Sequence, residues 1–391
     1  MTEPYREILV VDLLGGLGDL VMLLPAVHAL ARRHPAAALR VLTHEPGGDL
    51  LRGDPAVTEV ITIGQGHSGA ERAAVVDALA LHRPDLAVTT TRYDAIPALL
   101  EDGAGRAVTD LWRRPPPDQP VGERYLRILY AEGLIDAADV GARPRLRLRP
   151  EELDAGELMM ASWLPRENRR PPVLLVVDAG MGVKRWPRRH WQALVRLLRH
   201  DGYPVLAVGG PDGRPPPCPL LPRTGLRRLA ALFAAAGRRG GVVVGADTGP
   251  VRVAAAAGAG TVALFGPTDA RRYGLAAAAP VAAGTGAPAN PARTGPASPG
   301  GLSVDLQGRP DCPHRQPTTI SEQSCWWTAD CPLSPAGPAC MADIDPGTVA
   351  AAVRRAAGPD RGQARPGRPA DSVSQGTGRR WLAPISRQWF Q

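Results

Sequence analysis

The feature that most limits the fold of this chain is an alternation of short apolar runs with amphipathic helical stripes, carried from residue 8 to beyond residue 260. Ile8 to Leu13 is a strand-length run, and Leu20 to Arg33 follows it with Leu20, Leu23, Leu24, Val27 and Leu30 on one helical face. Strands are expected at Leu39–Thr43, Val60–Ile63 and Leu86–Thr90, with a helix at Ala70–Leu81 and another at Gly122–Glu132. The pattern then resumes with strands at Leu174–Val177, Val205–Val208, Val242–Val244 and Val262–Phe265. Helices are expected between and after them at Arg188–Arg199, Gly225–Ala236, Val251–Ala257 and Pro346–Ala357. Strands joined through helices pair in parallel by crossovers, so the expected class is α/β, with two Rossmann-like parallel sheets.

At 391 residues the chain exceeds one ordinary core and fits two domains with tails. The proline-rich segment 165–172 reads as the linker between an N-terminal domain at 1–165 and a C-terminal domain at 166–357. An Ala/Gly/Pro insert at 275–301 and a polar, glycine-rich tail at 358–391 are expected to be disordered, although Trp381 to Phe390 closes the tail with aromatic residues. Two parallel sheets facing one another leave a central cleft at their strand carboxyl ends, where α/β proteins take ligands.

A net charge of +8 suits an acidic partner, but the arginines are scattered and aromatics make up only 4% of the chain, so nucleic acid is not expected. The longest apolar stretch, Leu20 to Ala31, is too short to span a bilayer and contains Pro25. The N-terminus carries no signal peptide pattern, which gives a cytoplasmic expectation with peripheral contact at the inner membrane face left open.

Chemistry is concentrated in the loops that follow strands. Lys184 is the only lysine, although lysine and arginine together number 46. A compact ammonium beside the helix start at Trp186-Pro187 reads as a phosphate ligand, since a guanidinium does not replace it in kind. After the first strand, Gly15-Gly16-Leu17-Gly18-Asp19 lets the backbone turn tightly against a ligand and places Asp19 at the cleft mouth, as a general base or as a helix cap. The dinucleotide fingerprint needs a third glycine where Val21 stands, so an NAD reading fails. Gly245-Ala246-Asp247-Thr248-Gly249-Pro250 opens a helix with backbone N–H groups and a hydroxyl presented together, and Gly266-Pro267-Thr268-Asp269 follows the next strand.

These motifs converge on a family. The run Ile8 to Pro25, Leu51-Arg52-Gly53-Asp54-Pro55, Lys184-Arg185-Trp186-Pro187, Gly209-Gly210-Pro211, the Gly245–Pro250 turn and Leu264–Asp269 occur in the order seen in family 9 glycosyltransferases, the ADP-heptose:lipopolysaccharide heptosyltransferase group, which this chain resembles over about residues 8–270 and again near Cys340–Val349. The resemblance implies a GT-B fold and an inverting, metal-independent transfer. The donor would be a nucleotide-diphosphate heptose held by the second domain, and the acceptor a saccharide, lipid-linked or small-molecule hydroxyl held by the first. It implies Asp19 as base, with Gly15, Gly16 and Gly18 as the cleft loop. It also implies Lys184 and Thr248 with Gly249 at the diphosphate, and no required cofactor; Asp247 of the same turn and the extra cation Arg252 are expected beside them, with Thr268 and Asp269 on the donor side. Two positions depart from the family: Arg252 stands where His is usual, and the acidic residue after Gly-Gly-Pro is represented only by Asp212 in a shortened loop. A degenerate member that binds nucleotide sugars without turnover is the alternative.

Cys312, Cys325, Cys331 and Cys340 lack the C-x-x-C pairing of common zinc sites, so they are expected to pack as free thiols, with zinc as the alternative.

Overall fold

A computed structural model of the chain describes residues 5–64, 68–164, 170–209, 216–276, 293–296 and 301–358. The first sheet is built by β1 (Glu7–Asp12), β2 (Ala38–His44), β3 (Glu59–Ile63), β4 (Leu86–Thr89) and β5 (Arg106–Val108). All of its pairs are parallel, in the order β3-β2-β1-β4-β5. Its crossovers carry α1 (Leu17–Arg33), α2 (Ala70–Leu81) and α3 (Ile96–Gly103), and α4 (Val121–Ala131) and α5 (Pro150–Trp163) follow.

The second sheet contains β6 (Val173–Val176), β7 (Val205–Val208), β8 (Leu220–Leu221), β9 (Val242–Ala246), β10 (Gly260–Phe265), β11 (Arg293–Pro296) and β12 (Leu302–Gln307). Its order is β11-β12-β10-β9-β6-β7-β8, parallel except where β11 meets β12. Its helices are α6 (Arg188–His200), α7 (Leu226–Arg238), α8 (Gly249–Ala256), α9 (Ala270–Tyr273), α10 (Ala339–Ala342) and α11 (Pro346–Ala356). Both sheets reverse their strand order beside the first strand of each domain: β1 lies between β2 and β4, and β6 between β7 and β9. Loops leaving β1, β6 and β9 therefore emerge at the crevices where parallel sheets accept ligands.

The insert is not structureless throughout, because Arg293–Pro296 pairs antiparallel with β12 in the register Arg293 to Asp305. Residues 277–292 and 297–300 of the insert, the shortened loop with Asp212, and the tail from 359 lie outside the described residues. Strand β12 has no apolar run to announce it, since Asp305 and Gln307 interrupt it. Both are buried because they hold backbone groups: the Asp305 carboxylate accepts from Leu275 N and Ala276 N, and the Gln307 amide donates to Phe265 O.

The two domains share one packed seam. Nearly all of α1 from Leu20 to Leu30 is buried, not only the predicted stripe, because it is lodged between its own sheet, α4 and α8. Within it, His28 Nε2 lies 2.8 Å from Asp54 Oδ2, so the Arg-Gly-Asp-Pro turn anchors α1. Helix α5 lies against α7 so closely that a Cβ on Gly156 would stand 2.3 Å from Ala231 O. Arg227 ties the seam together, donating to both carboxylate oxygens of Glu152 and to Leu50 O.

Candidate active site

Asp19 stands in the first turn of α1, where its N–H donates to Gly16 O and its carboxylate folds back over Gly16. Gly15 adopts a φ of +83°, which the turn reserves for glycine, and a Cβ on Gly16 would meet Asp19 Oδ2 at 2.1 Å, so any side chain there would displace the carboxylate from this position. Gly18 is needed for a different reason. Its missing Cβ would lie 3.1 Å from Arg252 Cδ, and a Cβ on Gly249 would lie 2.7 Å from Leu17 Cβ. These two glycines let the Asp19 loop and the α8 loop touch across the domain boundary.

On the donor side, Lys184 ends a single 3-10 turn, Gly182–Lys184, after β6. Its Nζ donates to Asp247 O at 3.0 Å and to Asp247 Oδ2 at 3.2 Å. The same carboxylate accepts from Thr268 Oγ1 at 2.9 Å and from Arg252 Nη2, whose second acceptor is Tyr273 O at 2.6 Å. Asp247 is therefore not a group that faces a phosphate directly, because two anions repel. It is the buried counter-ion that holds Lys184 and Arg252 on the rim. Thr248 caps α8 with its backbone, yet its buried Oγ1 has no hydrogen-bond partner among the described residues. An orphaned hydroxyl at a helix N-terminus beside a lysine is the arrangement that a phosphate completes.

Asp269 Oδ1 accepts from Arg271 N and its carboxylate pairs with the Arg271 guanidinium, so it is engaged in capping α9. The Gly266–Asp269 loop is held by Gln307 Oε1, which accepts from Ala270 N, and by Arg315, which donates to Gly266 O.

Electrostatics separate the acids of the cleft. Burial pushes the Asp19 carboxyl up to about 6 against the opposing pull of Arg252 and Lys184. Burial would also raise Asp247, but Arg252 and Lys184 in direct contact outweigh it and hold that carboxyl down at about 2. Asp12, at the end of β1, is pushed up to about 7 by burial and then by Asp19, while Thr90 Oγ1 donates to it at 2.6 Å. Asp12, Gly15, Gly16, Thr43, His44 and Glu45 line a notch beside the base loop on the first-domain side. A larger cavity of about 240 Å³ lies behind it, between α1, α4 and α8.

Sequence reading missed Trp326. It packs with Val183 and Cys325 under the Lys184 turn, and Lys184 Nζ stands 5.4 Å from its ring centroid. The one signal in the sequence was the aromatic pair Trp326-Trp327 within the cysteine segment. The four cysteines gather in this lobe: Cys312, Cys325 and Cys331 each act electrostatically on the Cys340 thiol, which burial pushes up to about 12. Among the described residues, no three His, Cys, Asp or Glu side chains converge as a metal set.

Two Rossmann-like domains, with an acid on one and a lysine and an open helix N-terminus on the other, give the chain the GT-B fold. The family model for glycosyltransferase family 9 (heptosyltransferase) matches residues 101–295, so the chain carries a domain of that family over those residues. It is 27% identical over 163 residues to lipopolysaccharide heptosyltransferase 2 of Salmonella typhimurium, a match covering 38% of this chain and 46% of the relative. The chain thus spans about half the length of that curated relative. The structure of ADP-heptose lps heptosyltransferase II from E. coli superposes with a TM-score of 0.58 at 19% identity, covering 90% of this chain and 98% of the other. A second structure, the iron-containing dodecameric glycosyltransferase TibC from enterotoxigenic E. coli, gives a TM-score of 0.54 at 14% identity over 91% of this chain and 77% of the other. Among the described residues no helix is long and apolar enough to cross a membrane.

Proposed function

We propose that the protein transfers a heptose or related sugar from a nucleotide diphosphate, with ADP-heptose as the donor, to a hydroxyl of a saccharide, lipid-linked or small-molecule acceptor. The observation that carries this reading is the meeting of Asp19 with the Lys184–Asp247–Thr248 rim in one gap, through the Gly18 and Gly249 contacts. The acceptor oxygen attacks the anomeric carbon from the first-domain side, where Asp19 stands. As the new bond to the anomeric carbon forms, the acceptor's hydroxyl proton passes to the Asp19 carboxylate, which faces Lys184 across the gap, and the bond from the anomeric carbon to the diphosphate breaks. Attack opposite the leaving group inverts the anomeric centre. Charge growing on the departing diphosphate is met by Lys184, the Thr248 hydroxyl and the N-terminal amides of α8, so the transfer needs no metal at the phosphates. Nucleic acid has no part in this scheme, and the setting is cytoplasmic, with the acceptor reached in solution or at the inner membrane face.

The test is donor-dependent release of ADP in the presence of acceptor mixtures. Release abolished in Asp19→Asn, with donor binding retained, supports the transferase. Saturable donor binding without product from any combination would instead favour the non-catalytic nucleotide-sugar-binding reading.

The lobe carries a second reading, favoured by the gathering of four thiols beneath the donor loop. For zinc, Cys312, Cys325, Cys331 and Cys340 would have to draw together and ionise, since no three of them converge as they stand. Such an ion would hold the lobe and Trp326 against the Lys184 turn, away from the reacting atoms. Elemental analysis of protein purified without added metal decides it, one equivalent per chain supporting a structural ion and none leaving four free thiols.

A further inference from the structure

Arg252 departs from the family pattern, and its surroundings do not suit a free phosphate ligand. Its side chain is only 6% exposed. Its Nη2 is divided between Asp247 Oδ1 and Tyr273 O, and its stem lies over Gly18, next to the base in sequence, with Cδ at 3.1 Å and Nε at 3.4 Å from where a Cβ would stand. Turning Nη2 to a diphosphate would break both of these buried hydrogen bonds, which costs more than one new phosphate contact returns.

We infer that Arg252 is a positioning residue, a strut from the donor domain that braces the Asp19 loop and stabilises the charge of the base, and that it is not a ligand of the donor phosphates. The inference rests on the reading of Asp19 as the base. The groups facing Asp19 are Asp12 from β1, Tyr125 from α4, Lys184 from the turn after β6, Asp247 and Arg252 from the start of α8, and Tyr273 from α9. Among them Lys184 and Arg252 are the two cations, and Asp247 is the one anion held ionised at neutral pH. Removing Arg252 takes away the larger of the two cationic influences that offset the burial of Asp19 and leaves Lys184 against Asp247. The proton affinity of the base must rise, while the donor keeps Lys184 and the α8 amides. A histidine at this position, neutral above its own titration, would give the base less support than an arginine that is charged at every working pH.

The test compares wild type with Arg252→Gln and Arg252→Lys in the full chain. The acid limb of kcat/KM should move up by roughly one pH unit in Arg252→Gln and by less in Arg252→Lys. Donor KM and ADP affinity by calorimetry should change by less than about threefold, consistent with the loss of no direct phosphate contact. A tenfold or greater loss of ADP affinity with an unmoved acid limb would overturn the inference and make Arg252 a phosphate ligand. The Asp19 carboxyl is followed in parallel by carbon NMR in the wild type and Arg252→Lys. That titration reads the strut even if Arg252→Gln fails to fold, and even if no donor is turned over, which would be a failure of the transferase reading alone. An Asp19 titration unchanged by the lysine would also overturn the inference.

Discussion

Asp19 and Asp247 are carboxyls in one cleft, exposed to the same two cations, and they titrate in opposite directions. Asp247 touches both Lys184 and Arg252 and accepts from Thr268, so its charge is fixed. Asp19 feels those cations only across the gap and is left with the cost of burial, which pushes it up to about 6. A carboxylate locked at about 2 is a structural counter-ion, while one near 6 is ionised at neutral pH and still basic enough to take a proton. Direct contact against distance, rather than residue type, assigns the two roles.

The comparison breaks most visibly at the base. Asp19→Asn should lower kcat by about a hundred- to ten-thousandfold while donor affinity by calorimetry stays within a few-fold. A variant that loses donor binding instead would make Asp19 part of the donor site. Asp247→Asn attacks the other acid. Removing one member of a buried ion pair should cost about 3 kcal/mol or more of stability at pH 7, read by denaturant unfolding, and should loosen the donor as Lys184 loses its anchor. Because the Asp247 carboxyl is depressed in the folded state, its contribution is complete above the unfolded value near 4. It is lost as pH falls toward 2, so wild type and Asp247→Asn should converge in acid.

The pH profile sharpens the comparison. As the proposed base, Asp19 works ionised, so kcat/KM should fall about tenfold per pH unit below about 6, and a profile flat down to pH 4.5 would refute the raised acid. Lys184→Arg keeps charge but not shape, and should weaken ADP binding by about tenfold. Thr248→Val removes the orphaned hydroxyl and should weaken it by roughly three- to tenfold, the value of one hydrogen bond.

Much of this was legible before any coordinates. The strand runs, α1 and the loops holding Asp19, Lys184 and Thr248 follow from apolar periodicity and from glycine placement, because local sequence dictates both. Strand β12 was not legible, since Asp305 and Gln307 look like surface residues until the backbone groups they satisfy are brought beside them. Trp326 was not legible either, because its contact with Lys184 joins residues far apart in the chain.

The sequence by itself determined two parallel α/β sheets, a glycine-framed acid after the first strand and a lone lysine after the sixth. The tertiary structure alone decided which charges meet. It placed Arg252 between Asp247 and the base loop and made Asp247 a counter-ion, and it left Asp19 the acid whose proton affinity is raised. Coulombic interaction and desolvation depend on separations of a few ångströms between residues distant in sequence, and only the packing of the two domains on one another sets those separations.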